Sequence, residues 1–262
     1  MLAENPKKKG VSLRHTSSHV KSNEANAFVH LDVSTLRKAG NKPVRNNVWV
    51  ALINEYSGMA TTLFVATKRA MIEATCELLH EWKVKGTPVQ VIQCDNGTEN
   101  TALVKCAKSA DWQLGIQFQF TSVHTPQFNA LVEKFFETIY NRARATIIYA
   151  NVPVKHLVCK YLILHLTHLF NLDIVTKNGI SATRFEWWGL SLPNFVPYLR
   201  PWGEAGIVHI KTIGTGKLDD RGEKMMYVGA SMQHSGDTYL IFSPITSRIH
   251  KTRDVKFTQK MY

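Results

Sequence analysis

Apolar and polar positions alternate along AFVHLDV (27–33) as in a short strand that carries one carboxylate. VWVALINEY (48–56) and ATTLFVATK (60–68) are two further strands, joined through Ser57-Gly58 as a hairpin. The LRKAGNKPVRNN segment before them (36–47) reads as turn-rich. Over 69–83 the period changes. Ala70, Ile72, Ala74, Cys76, Leu78, Leu79 and Trp82 make a helical stripe with charges between them, ended by Gly86 and Pro88. VQVIQCD (89–95) is the next strand, a helix is expected from Thr101 to Asp111, IQFQFTS (116–122) is a fifth strand and VHTPQFN (123–129) a loop. A long helix follows over 130–150, with Leu131, Phe135, Ile139 and Ile147 among its apolar positions, and Pro153 opens another that runs to Phe170. Strands and helices in this order predict a mixed α/β unit with an antiparallel hairpin at one edge of a partly parallel sheet. From Gly206 the pattern becomes short strands, IVHIKTI, MMYVGAS, TYLIFS and RIHKTRDVKF, the mark of a small barrel or sandwich. The expected division is a basic, disordered arm over 1–26, the α/β core over 27–172, a linker over 173–205 and a small barrel-like all-β unit over 206–262.

Composition narrows the partners. The 262 residues are 44% hydrophobic, enough for a sizeable core, and carry a net charge of +12 with a pI near 9.6. The excess is uneven: residues 1–45 hold nine Lys and Arg against three Asp and Glu, 46–199 thirteen against eleven, and 200–262 ten against six. A nearly neutral centre with basic ends points to a polyanionic partner, nucleic acid first and an anionic membrane surface second. PKKKG (6–10) reads as a solvated basic tail or as an import or phosphate-binding run. Cys76, Cys94, Cys106 and Cys159 form no C-x-x-C pair, which argues against a zinc ribbon and for reduced thiols in an intracellular protein. No stretch reaches 18 apolar residues, and the first residues lack an apolar signal core, so neither a membrane span nor a secretory signal is expected.

The chemistry to be explained sits at CDNGTEN (94–100). Asp is a poor strand residue, yet Asp95 ends a probable buried strand and Asn96-Gly97 turns the chain at once. Either Asp95 only caps the turn, or it holds something at the strand tip, where open α/β sheets place their sites. Asp32 lies within the first strand and Glu133 in the first turns of the long helix. If strands one and four are neighbours, both aspartates meet, and a helix crossing behind presents Glu133 to the same point. Three converging carboxylates repel one another and call for hard cations such as Mg²⁺. Spacing alone does not select these three: Glu99 and Glu137 compete, the latter one turn beyond Glu133.

HLDV (30–33), CDNGTEN (94–100), TPQFNALVEK (125–134) and GDTYLIFSPITSRIHKTRDVKF (236–257), in this order, resemble the integrase of copia-type LTR retrotransposons from about residue 27 onward. The resemblance implies a ribonuclease H-like core with an Asp-Asp-Glu triad: Asp32, Asp95 and Glu133 as catalytic, metal-binding residues using Mg²⁺, with Mn²⁺ as substitute. It also implies 3′-end processing and strand transfer on double-stranded DNA, action as a homo-oligomer on DNA with no membrane partner, origin in a Pol polyprotein, and a nuclear location. The loop residues Thr125, Gln127 and Asn129 become DNA-contacting candidates, with Asn129 equally readable as a helix N-cap. Lys134, Arg142, Arg144 and Lys68 become phosphate contacts or solvated surface charges. His165 and His168, spaced i, i+3 on an apolar helix, read as core or surface histidines ahead of a metal pair, and Trp187-Trp188 reads as packing between core and C-terminal region.

The sequence also departs from that family. Residues 1–26 hold His15 and His19 but no cysteine for a His-His-Cys-Cys zinc module, Ala130 replaces the usual Gly after the loop Asn, and Ile53-Asn54 and Gly229-Ala230 replace Ile-Asp and Gly-Tyr. These departures keep a second class of function in view, an integrase fragment that binds nucleic acid without chemistry.

Overall fold

The structure is a computed structural model and describes residues 27–37, 43–121, 130–151, 156–209 and 222–262. The first sheet is built from β1 (Phe28–Arg37), β2 (Pro43–Asn54), β3 (Ala60–Val65), β4 (Val91–Cys94) and β5 (Gln117–Phe120), in the order β3-β2-β1-β4-β5. β1, β2 and β3 pair antiparallel, whereas β1, β4 and β5 pair parallel. This is the mixed sheet with an antiparallel edge that the pattern implies.

β2 shows why the run VWVALI is continuously apolar. Val48, Val50 and Leu52 point into a cluster with α1 (Lys68–Val84) and α2 (Thr98–Ala107), while Trp49, Ala51 and Ile53 point into a second cluster with α3 (Ala130–Ala150) and α4 (His156–Leu172). A strand covered on both faces has no polar side to show. Trp49, fully buried, meets Phe136 edge-on at 4.6 Å and Tyr140 at 5.4 Å, which fastens α3 to the sheet. The open edge at β3 is closed by Asn171 of α4, which accepts from the Ala60 N–H at 2.9 Å and donates to its carbonyl at 2.8 Å.

Three local expectations shift. β1 and β2 extend into the segment read as turn-rich, with Arg37 opposite Pro43. A proline is tolerated there because it begins its strand. The buried face of α1 is Met71, Thr75, Cys76 and Leu79, with Ala70 exposed. A buried threonine hides from a reading that scores it as polar. α2 begins at Thr98, three residues earlier than expected, because Gly97 serves as its N-cap.

The span 173–205 folds rather than merely linking. β6 (Ile174–Lys177) and β7 (Ile180–Thr183) form a hairpin. α5 (Arg184–Trp187) starts from a Thr183/Glu186 capping box, and a 3₁₀ turn covers Val196–Tyr198. Trp188 packs on Trp82 of α1 at 5.4 Å and Trp187 on Tyr56 at 6.1 Å, so the tryptophan pair binds the hairpin and α5 to the core rather than to the C-terminal sheet.

The second sheet comprises β8 (Glu204–His209), β9 (Gly222–Ala230), β10 (Tyr239–Ser243), β11 (Arg248–Thr252) and β12 (Val255–Met261), in the order β11-β10-β9-β8-β12. RIHKTRDVKF splits into β11 and β12 at Arg253-Asp254. These two strands occupy opposite edges yet are joined by two residues, a link that spans only about 10 Å, so the sheet must curl enough to bring the end of β11 to the start of β12. The two sheets share one apolar cluster: Met226, Val228 and Phe242 pack with Leu162 and Leu166 of α4 and with Trp202. Gly203 makes the junction possible, since a Cβ there stands 2.6 Å from that of Ala150. Among the described residues, no helix is long and apolar enough to cross a membrane.

Candidate active site

β1 and β4 pair in parallel with a constant offset of 63 residues, Phe28 to Val91, Val29 to Ile92 and His30 to Gln93. The ladder ends at His30 and Gln93; continued two positions, the same offset would bring Asp32 level with Asp95, the residue after β4. Along β1, Val29 and Leu31 enter the cluster under α1 and α2, so Asp32 and Ser34 face the other side, toward α3. Ser34 Oγ lies 2.9 Å from the hydroxyl of Tyr140. Tyr140 is two turns beyond Glu133 on α3, so this contact turns the helix face that carries Glu133 toward the strand face that carries Asp32.

The electrostatics agree. The Asp32 carboxyl is pushed up to about 6, first by burial and then by the charges of Asp95 and Glu133, against a lowering by the Val33 N–H that donates to its Oδ1 at 2.7 Å. Beneath the site, burial pushes the Cys94 thiol up to about 12, with Asp95 and Asp32 adding to the effect. Asp95 itself is exposed and held from below. Its Oδ1 accepts from Asn100 Nδ2 at 2.5 Å and from Gly97 N–H at 3.1 Å. Gly97 packs tightly under the site: a Cβ there would stand 3.1 Å from Asp95 Oδ1 and 3.2 Å from the Glu99 carboxyl carbon, so those side chains would have to shift by a few tenths of an ångström.

Ion pairing separates the triad from Glu99, though not from Glu137. Glu99 is held by Lys68, which keeps its carboxyl below the usual range. Among the described residues, Asp32, Asp95 and Glu133 enter no ion pair. Glu137 is not among the charges that raise Asp32. Three hard carboxylate oxygens with no cation beside them are the donor chemistry that Mg²⁺ prefers. The side chains do not close into a finished cage: among the described residues, no group of three or more His, Cys, Asp and Glu is drawn together closely enough to hold a metal ion.

The remaining candidates are dispersed. Lys68 is paired with Glu99 beside the Asp95 turn. Lys134 is exposed on α3. Arg142 pairs with Asp173 at 2.8 Å, and the exposed Arg144 donates to Asn141 at 3.1 Å. Thr125, Gln127 and Asn129 lie outside the described residues. His165 and His168 sit where α4 meets the C-terminal region, His165 edge-on to Tyr227 at 5.7 Å and His168 tilted on Phe195 at 5.4 Å, and they line a cavity instead of joining the carboxylates. Asn100 and Tyr140, which position Asp95 and α3, had no signal beyond ordinary helix polarity.

Residues 205–262 match the retroviral polymerase SH3-like domain family. Among solved structures, the chain is similar to one in a simian T-cell lymphotropic virus intasome in complex with PP2A regulatory subunit B56 gamma, at 17% identity over 90% of this chain and 80% of that one, with a TM-score of 0.49. It is also similar to the HTLV-2 integrase catalytic core domain in complex with magnesium, at 16% identity over 63% and 97% with a TM-score of 0.44. The BIV integrase catalytic core domain matches at 17% identity over 62% and 93% with a TM-score of 0.42.

Proposed function

We propose that the chain is a copia-type integrase that processes DNA 3′ ends and joins them to target DNA. The observation that carries this reading is the electrostatic reach between Asp32 on β1, Asp95 just past the end of the parallel neighbour β4, and Glu133 on α3. Asp32, Asp95 and Glu133 would hold Mg²⁺, which supplies Lewis-acid activation of the attacking oxygen and stabilisation of the leaving one. The chain's own contribution is placement. The β1–β4 ladder fixes the aspartates, the Ser34–Tyr140 contact fixes the helix that bears Glu133, and Asn100 with the Gly97 N–H aims Asp95. In processing, water attacks a phosphodiester and frees a 3′-hydroxyl. In joining, that hydroxyl attacks a target phosphodiester and displaces another 3′-hydroxyl, so the number of phosphodiester bonds is conserved. The basic ends of the chain suit double-stranded DNA, with Lys134, Arg144 and the loop residues Thr125, Gln127 and Asn129 as contacts, in a homo-oligomer in the nucleus.

A labelled duplex with a supercoiled acceptor, incubated with Mg²⁺ or Mn²⁺, tests this. Metal-dependent nicking and joining are expected in the wild type and a drop of about 10³-fold or more in Asp95→Asn and Glu133→Gln. Salt-sensitive DNA binding with no chemistry in any sample would instead establish the binding-module reading.

A further inference from the structure

A second stripe of α3 opens on a cavity of about 290 Å³, where Leu131, Lys134, Thr138 and Arg142 face Phe170 and Arg184. Its charge is unbalanced. Arg142 reaches Asp173 at 2.8 Å and Arg184 reaches the same carboxylate at 3.5 Å, so two guanidiniums share one anion. Lys134 has no anionic partner among the described residues. The cavity lining thus carries three cations, two of them on the one carboxylate of Asp173 and Lys134 apart from it. Arg184 is fixed in place, stacked 3.8 Å from the Phe170 ring centre and donating to the Phe170 carbonyl at 2.6 Å, and its side chain is only 16% exposed.

The geometry points to a docking site for an acidic side chain of a partner protein, seated between Arg142, Arg184 and Lys134 with an apolar neighbour against Leu131 and Phe170. Charge complementarity selects an anion, and the guanidinium forks suit a carboxylate. The walls select its carrier. Leu131 is 41% exposed although apolar, and Phe135 and Phe170 back it, so the cavity favours a carboxylate next to an apolar group. Duplex phosphates lie on a convex, hydrated surface and suit open ridges of lysine and arginine better than a recess with a deep guanidinium. Burial disfavours the charge of Arg184, Asp173 favours it and Arg142 disfavours it; the net lowering is one that a second carboxylate would relieve. The site uses none of the triad, and Lys134 is the one residue it shares with the proposed DNA contacts.

Titrating the full chain with the capped tripeptide acetyl-Leu-Asp-Leu-amide, while following arginine side-chain N–H resonances, tests the proposal. Saturable shifts at Arg142 and Arg184 with a Kd of about 1–10 mM are expected, as befits so small a ligand. The Asn-containing isostere should give none, Lys134→Gln should weaken binding by about threefold to tenfold, and Thr138→Phe, which fills the cavity, should abolish it. Lys134 is exposed, so its variant keeps the test sound if Thr138→Phe folds poorly. Equal binding of the Asn peptide, no saturation by the Asp peptide, or stronger shifts with inorganic phosphate or a duplex oligonucleotide overturns the proposal. The last outcome would assign the cavity to nucleic acid.

Discussion

Asp32 concentrates the conflict of the site in one side chain. Its carboxyl stands at about 6 against an ordinary 3.8, so the folded state holds that proton more tightly than the unfolded chain does. The linkage sign follows: as pH rises from about 4 through 6, the protein loses stability at this position, and above that window the loss is complete. In metal-free protein at pH 7, Asp32→Asn should therefore raise stability by about 1 kcal/mol, since Asn keeps an acceptor for the Val33 N–H and removes the repelled charge. Urea unfolding checks this, and a variant no more stable than the wild type would mean that neither burial nor the neighbouring carboxylates strain the Asp32 charge. Asp95 was legible as a candidate because it interrupts an apolar strand and Asn-Gly follows it, whereas the choice of Asp32 and Glu133 as its companions came from the resemblance and not from spacing. The fates of Lys68 and Arg142 were not, because Glu99 and Asp173 each lie 31 residues away along the chain.

At the scale of elements, α4 carries the mechanical load between the sheets. Leu162 and Leu166 join the shared apolar cluster, Asn171 closes the edge of β3, and His165 and His168 face the cavity bounded by β9, β10 and β11. Burial lowers both histidines to about 4, the charge of His168 adding to the effect at His165. Their unfolded value is near 6.5, so the unfolded chain binds protons first, and stability falls as pH drops from about 6.5 toward 4. With both residues titrating, the slope approaches about 2–3 kcal/mol per pH unit. His165→Gln/His168→Gln should flatten that limb in denaturation followed by tryptophan fluorescence. An unchanged acid slope would remove the histidines as its cause. Element types were largely readable from periodicity, since β2, α1 and α3 are long and strongly patterned. The length of the β1–β2 hairpin was not, because cross-strand pairing carries it through residues of low strand propensity.

For the whole molecule, the shared cluster makes the two sheets one folding unit. Cutting the chain after residue 203 would strip Met226, Val228 and Phe242 from Leu162, Leu166 and Trp202 and bare an apolar face. The full chain should therefore unfold in a single calorimetric transition, while a 27–203 fragment should lose cooperativity or aggregate. Two resolved transitions in the full chain would show that the sheets fold independently. Local pattern, which depends only on neighbours in sequence, determined by itself the kinds and order of the elements outside 173–205, the mixed α/β core, the all-β end, the basic flanks and the acids worth watching. Tertiary structure alone decided which strands lie side by side, which carboxylates escape an ion pair, how the tryptophan pair is spent and where a surplus of guanidinium gathers. These outcomes depend on groups tens of residues apart meeting in space, and strand order and charge pairing leave no periodic trace along the chain.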